Sequence, residues 1–282
     1  MERWNGRVAI VTGASSGIGK TIAIALLKNG MVVVGIARRE DLLKKLSEEV
    51  ESFPGKFYYK KFDIRNEEHI TECIQWTITT CGSIDVLVNN AGVYDETEFV
   101  VFEHPNTFSI RNLNKELGLL SPVLNSSCFN RFFIYAHESM EHGKMIMETN
   151  YLAGCIFTKK VINEMKLKGI DDGHIININS VAGHYRAEPI KALIHNASKH
   201  CVTLTTDSIR RMLVNEGSKI KITSLSPGVT IKESSEQQLK SHPEITYLET
   251  EDIANATLYI LGTPPNVQVC ELTIRSVGEI MY

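Results

Sequence analysis

No apolar run in this chain reaches the roughly 20 residues needed to cross a bilayer. The opening MERWNGRVAIVTG carries none of signal-peptide length either, so neither a membrane span nor a leader is expected. Cysteine is sparse and scattered. Cys73, Cys81, Cys128, Cys155, Cys201 and Cys270 include no C-x-x-C pair, which argues against a metal site and for reduced thiols in a cytoplasmic protein. A dominant charge is missing as well. With 30 basic and 33 acidic residues the formal net charge is −3, which leaves no electrostatic case for nucleic acid or an anionic membrane surface. What remains is an ordinary globular composition, 43% hydrophobic and 22% charged, in 282 residues. That length allows a substantial core in one large domain or two small ones.

Short apolar runs alternate with amphipathic stretches along most of the chain. The runs at 7–13, 31–37, 56–63, 84–92, 174–180, 221–228 and 267–274 are rich in β-branched residues and apolar on both faces. That is the pattern of parallel strands covered by helices on either side. Between them lie helical periods, as in REDLLKKLSEEVESF, where Leu42, Leu43, Leu46 and Val50 fall on one face. Strand and helix in alternation predict one doubly wound α/β domain over residues 1–282, with a parallel sheet of about seven strands and helices on both faces.

One segment breaks the rhythm. The 57 residues between Gly92 and Asn150 show neither period, yet hold six of the ten phenylalanines. Loops beyond about 12–15 residues are uncommon in compact domains. The segment at about 100–140 reads either as a substrate lid or partner-binding arm, or as an irregular insertion.

The first strand runs into TGASSGIGK, which places Gly13, Gly17 and Gly19 between strand and helix. Glycines there permit the tight turn and let backbone approach a pyrophosphate, while the helix N-terminus offers free N–H groups. Position after the first strand and before a helix makes this a dinucleotide site; the alternative is a glycine-rich turn without a ligand. The second strand ends in GIARRE, so Arg38 and Arg39 stand where an acid would hold the ribose hydroxyls of NAD. Guanidinium groups pair with a 2′-phosphate, which favours NADP(H) over NAD(H). The alternative is two exposed arginines with no ligand. Asp63 closes the third strand, within reach of an adenine edge, and NNAG (89–92) closes the fourth on the same rim.

Taken in order, Thr12 to Gly19, Asn89 to Gly92, Ser180 after ININ, Lys199 and the SPG of 226–228 resemble the signature of the short-chain dehydrogenase/reductase family. The likeness covers nearly the whole chain. MERW, GMVVVGIARRE, DDGHIININSVAGH and TPPNVQVCELTIRSVGE are similar to its farnesol dehydrogenase-like and member 11 branch. The resemblance implies a Rossmann-type fold and hydride transfer between a nicotinamide and an apolar alcohol or carbonyl, isoprenoid or steroid-like. It implies that Ser15, Ser16 and Ile18 join the three glycines at the cofactor, with Asn90, Ala91, Gly92, Pro227, Gly228 and Thr230. It implies that Ser180 orients the substrate oxygen, that Asn150 supports a proton-relay water, and that Lys199 binds ribose and tunes a tyrosine. A homodimer or homotetramer built on the helices of Asn150 and Lys199 follows by the same analogy.

The tyrosine is absent. Four residues before Lys199 stands His195, in HNASK, and none of the nine tyrosines has a lysine four positions later. An imidazole is shorter than a phenol and falls roughly 2 Å short of a direct hydrogen bond of about 2.6–3.2 Å. The Lys199 cation is expected to push it below its usual value of about 6.5. A neutral ring accepts a proton but donates poorly, which favours weak oxidation over reduction. A catalytically silent dinucleotide binder, acting as a sensor or oligomer partner, is the alternative. A second departure is Lys232, which stands where the family has threonine, four residues beyond Gly228.

Overall fold

The seven apolar runs form seven strands of one sheet in the structure, a computed structural model describing residues 1–94, 140–185, 193–233, 236–242 and 245–279. They are β1 (Val8–Thr12), β2 (Val32–Ala37), β3 (Lys56–Lys61), β4 (Val86–Asn89), β5 (His174–Ile178), β6 (Lys221–Pro227) and β7 (Glu271–Ile274). Their order is β3-β2-β1-β4-β5-β6-β7, and every pairing is parallel. The chain winds outward from β1 to β3, returns to β4 beside β1, and winds outward again. Ligands in such sheets bind outside the carboxyl ends of the strands, at that reversal.

The helices are α1 (Gly17–Lys28), α2 (Glu40–Glu49), α3 (Glu67–Cys81), α4 (Met140–Met147), α5 (Ala153–Leu167), α6 (Leu193–Asn215), α7 (Glu236–Lys240) and α8 (Thr250–Gly262). A π-helical turn, Glu148–Leu152, joins α4 to α5.

Two cores sandwich the sheet, and strand alternation assigns residues to them. In β1, Ala9 and Val11 join Val33, Val86, Val88, Ile176 and Leu225 beneath Ile22 and Leu26 of α1 and Ile253 and Ile260 of α8. Val8 and Ile10 face the other way, with Val34, Leu87, Ile175 and Ile222 beneath Ile70 and Ile74 of α3 and Phe157 and Val161 of α5. Each fully buried aliphatic side chain contributes roughly 1.5–3 kcal/mol relative to exposure. In α2, Leu43 and Leu46 are buried on the face the heptad-like spacing marks, and Val50 just beyond it is buried too. Lysines at both ends of β3 protect that edge from further pairing.

The strands are shorter than their apolar runs. β3 stops at Lys61 and β4 at Asn89, before the loops that reach the ligand rim. β7 begins only at Glu271; before it, the Val267 and Val269 carbonyls accept from the side chains of Lys221 and Thr223 of β6 rather than from its backbone. The expected insertion at about 100–140 lies outside the described residues. Among the described residues no helix is long and apolar enough to cross a membrane.

Candidate active site

Thr12, the last residue of β1, organises the rim at the reversal. Its Oγ1 accepts from the N–H groups of Asn90 and Ala91, both at 3.0 Å, and the Asn90 amide Nδ2 donates to the Thr12 carbonyl at 2.8 Å. This ties the end of β4 to the start of the glycine turn. Gly19 belongs to that knot, because a Cβ there would collide with Asn90 Nδ2 and the Gly13 carbonyl. The knot lets α1 start hard against the sheet. Ser16 stands at the N-cap of α1, and its side chain makes no cap hydrogen bond to the first turn.

Above the knot opens a cleft of about 710 Å³, and every residue singled out in the sequence lines it. From the cofactor side come Gly13, Ser15, Ser16, Gly17, Ile18, Gly19, Arg38, Arg39, Asp63, Asn90, Ala91 and Gly92. From the other side come Asn150, Ser180, His195, Lys199, Pro227, Gly228 and Thr230. The volume falls in the range of small-molecule and cofactor sites, about 300–1,000 Å³. Arg39 Nη2 donates to Ser15 Oγ at 3.0 Å and Ser16 Oγ at 2.6 Å, which gathers a guanidinium and two hydroxyls beside the uncapped helix end. Such a donor set fits phosphate groups. Asp63, expected to reach an adenine edge, lines the cleft with an arginine beside it. Arg65 grips its carboxylate through Nε and Nη2, the latter at 2.7 Å, and holds it below the usual carboxylate range.

The other end of the cleft gathers around one amide. Asn150 lies in the π-helical turn, where its Oδ1 accepts from the Val93 N–H at 2.8 Å and its Nδ2 donates to the Val93 carbonyl at 3.0 Å. The same Nδ2 lies 3.5 Å from His195 Nδ1 and 3.4 Å from Ser198 Oγ. The Tyr94 ring meets the His195 ring edge-on, with centroids 4.9 Å apart. Burial comes first among the forces that push the imidazole down to about 3; the Lys199 and Lys232 cations follow, against an upward pull from the Val93 backbone. The sequence pointed to Lys199 as the cause, whereas desolvation is the larger effect. Lys199 is itself buried, donates to the Ile178 carbonyl at 3.0 Å, and is lowered to about 8 by desolvation and then by Lys232. Ser180 ends β5's extension, and its Oγ accepts from the Ala182 N–H at 3.1 Å.

Sequence reasoning missed four contributors. Tyr94, Arg65, Arg275 and Glu279 all line the cleft. The Arg275 guanidinium lies 5.0 Å over the Tyr185 ring and 3.7 Å from the Glu279 carboxylate. Their only signal was place: Arg275 follows β7 directly, on the carboxyl-end rim where the other site residues sit.

The family model for short chain dehydrogenases matches residues 7–116 and 109–242. A farnesol dehydrogenase of Aedes aegypti is 38% identical over 283 residues, spanning 99% of each chain. Dehydrogenase/reductase SDR family member 11 of Gallus gallus is 33% identical over 99% of this chain and 100% of that one. Among solved structures, a short-chain type dehydrogenase/reductase from Mycobacterium marinum superposes with a TM-score of 0.76 at 22% identity, covering 98% of this chain and 96% of that one. An alcohol dehydrogenase from the archaeon Thermococcus sibiricus, complexed with 5-hydroxy-NADP, gives 0.73 at 23% identity, covering 98% and 99%. These two share the fold.

Proposed function

The chain belongs to the short-chain dehydrogenase family of oxidoreductases, and from that premise we propose that it is an NADP(H)-linked oxidoreductase of apolar alcohols or carbonyls, slowed by the histidine at position 195. The observation that carries this reading is the composition of the cleft. Phosphate-fitting donors, Ser180, Asn150 and Lys199 line it together, while the position of the acid–base group holds a neutral imidazole.

The nicotinamide supplies a hydride donor or acceptor when bound. Arg38 and Arg39 favour a 2′-phosphate on that cofactor, and the uncapped α1 terminus favours its pyrophosphate. Ser180 Oγ donates to the substrate oxygen and fixes its place. Lys199, near half-charged at about pH 8, would hold the ribose hydroxyls of that cofactor. At neutral pH the His195 ring has no proton to give a ketone, and its lowered basicity makes it a weak acceptor from an alcohol as well. Its ring also faces Asn150 Nδ2, Val93 and Tyr94, contacts that favour the second reading, a silent dinucleotide binder. The named activity of the Aedes aegypti relative supports an isoprenoid-like alcohol as the substrate class. Free thiols at Cys73, Cys81, Cys155, Cys201 and Cys270 support a cytoplasmic setting.

A well-placed acid–base group contributes about 10²–10⁴-fold. We therefore expect NADPH to bind in a fluorescence titration, farnesol turnover to be low, and His195→Tyr to raise turnover at least about tenfold. Ordinary enzyme rates in the unaltered protein would refute the account of the histidine. Binding without turnover in either form would favour the silent binder.

A further inference from the structure

Ser180 is the N-cap of a short 3-10 helical turn, Val181–Gly183, whose own contacts the dinucleotide reading leaves without a role. Backbone bonds close the turn: the Gly183 N–H donates to the Ser180 carbonyl at 2.9 Å, and the His184 N–H to the Val181 carbonyl at 3.0 Å. Three elements then hold it from outside. From α6, Thr203 Oγ1 reaches the Gly183 carbonyl at 3.0 Å and the Lys199 carbonyl at 3.2 Å. A Cβ on Gly183 would lie 2.8 Å from Thr203 Oγ1, the Lys199 carbonyl oxygen and Asn179 Nδ2, so the turn rests directly on that helix. From β6 and β7 the hold is a single imidazole. His184 Nε2 lies 2.9 Å from Ser226 Oγ and 3.1 Å from Glu271 Oε1. Ser226 is wholly buried, whereas the Glu271 side chain is 34% exposed at the start of β7. A carboxylate that close favours a proton on Nε2, so the imidazole donates to Ser226 and Glu271 sets its tautomer.

Behind this clasp the polar contacts continue. Ser226 Oγ lies 3.4 Å from Ser224 Oγ, and Asn179 Nδ2 donates to Ser224 Oγ at 3.2 Å and to Thr203 Oγ1 at 2.8 Å. A closed ring thus runs from His184 through β6, Asn179 and α6 back to Gly183. Ser180 and Lys199 both hang from it, one as the cap of the turn, the other through its carbonyl. We propose that His184, held by Glu271, is a positioning residue for Ser180. It keeps the turn wound, and the winding supplies the Ala182 N–H that Ser180 Oγ accepts at 3.1 Å. With that bond in place the Ser180 hydroxyl proton is turned toward a substrate oxygen. A misplacement of about 1 Å can cost about 10²-fold in rate, so the clasp acts on the reaction without touching the reactants. This inference rests on the oxidoreductase reading above.

The test follows single-turnover farnesol oxidation by NADPH absorbance in the unaltered protein, His184→Ala, His184→Gln and Ser226→Ala. Each is also made with Ser180→Ala, and all are repeated with His195→Tyr, which is expected to raise the rate. His184→Ala and Ser226→Ala are expected to slow hydride transfer about tenfold or more, with NADPH affinity within about twofold of the unaltered protein. His184→Gln keeps an N–H donor and is expected to stay within about threefold. Once Ser180 is alanine, His184→Ala should cost nothing further, because it acts through the serine. Amide hydrogen exchange at Ala182 to Tyr185, read without substrate, should quicken in His184→Ala. An unchanged rate in His184→Ala, or unchanged exchange in the turn, would overturn the proposal. Equal losses with and without the Ser180 hydroxyl would overturn it too, since the clasp would then serve the fold alone. No turnover in any form would instead overturn the oxidoreductase reading beneath it.

Discussion

Among the described residues, histidine appears twice as a residue that burial keeps neutral. His174, at the start of β5, pairs through Nε2 with Thr223 Oγ1 at 2.8 Å and leaves Nδ1 buried without a partner. Desolvation, then the Lys221 and Arg3 charges, lower it to about 3, the same level as His195. Both values lie below the ordinary value of about 6.5 that the unfolded chain regains. Between these limits the unfolded state takes up protons that the folded state refuses. The stability is therefore intact above about pH 6.5 and is lost as pH falls toward 3. By pH 4.5 the loss is of the order of 2–3 kcal/mol per histidine. His174→Gln, which keeps a polar partner for Thr223, is expected to flatten the fall of the urea midpoint between pH 7 and pH 4.5. Parallel curves for the two proteins would count against this origin of acid sensitivity.

Elements in this fold are set by caps and faces as much as by composition. Asn66 caps α3, its Oδ1 accepting from the Glu68 N–H at 2.8 Å and the His69 N–H at 3.4 Å. Asn66→Ala is expected to lower stability by about 1 kcal/mol in chemical denaturation, with the cofactor affinity unchanged. The strands were legible because parallel strands buried on both sides leave continuous apolar runs such as VVVGIA. The beginning of β7 was not, because side chains of β6 occupy the carbonyls of Val267 and Val269, and a pattern of residue types does not record such bonds. The π-helical turn that holds Asn150 left no mark either; ETNYL has the look of ordinary helix. Motif residues of the site could be read in order along the chain. Arg275 and Glu279 could not, since only the sheet order brings the end of β7 to the rim beside Gly228.

On the scale of the whole molecule, long-range contacts hold the sheet together at both ends. At the amino ends, Arg7 bonds Asp85 at 2.7 Å and Asp172 at 2.6 Å, joining β1 to the approaches of β4 and β5, and Trp4 Nε1 donates to the Leu261 carbonyl at 2.7 Å. The outer surface holds apolar residues with no cover in one chain. Leu204 is 71% exposed on α6, with Met212 and Val214 farther along it and Leu152 in the π-helical turn. If these helices pair with a second copy, as the proposed dimer or tetramer requires, Leu204→Glu should shift the mass in light scattering toward a monomer. A monomeric mass in the unaltered protein would rule out that assembly.

The two ends of the cleft hang on different parts of this scaffold. The end beside the glycine turn rests on β1, α1 and the Thr12–Asn90 knot; the end beside His195 rests on α6 and on Asn150, bonded to Val93. Histidine and tyrosine codons differ only in their first base, cytosine against uracil. One transition in the gene thus separates HNASK from a sequence with a phenol at position 195, and it touches no residue that shapes the glycine-turn end. Under the role proposed for residue 195, a lineage carrying this chain can lose or regain proton transfer in a single mutational step, while the glycine-turn end of the cleft is inherited intact.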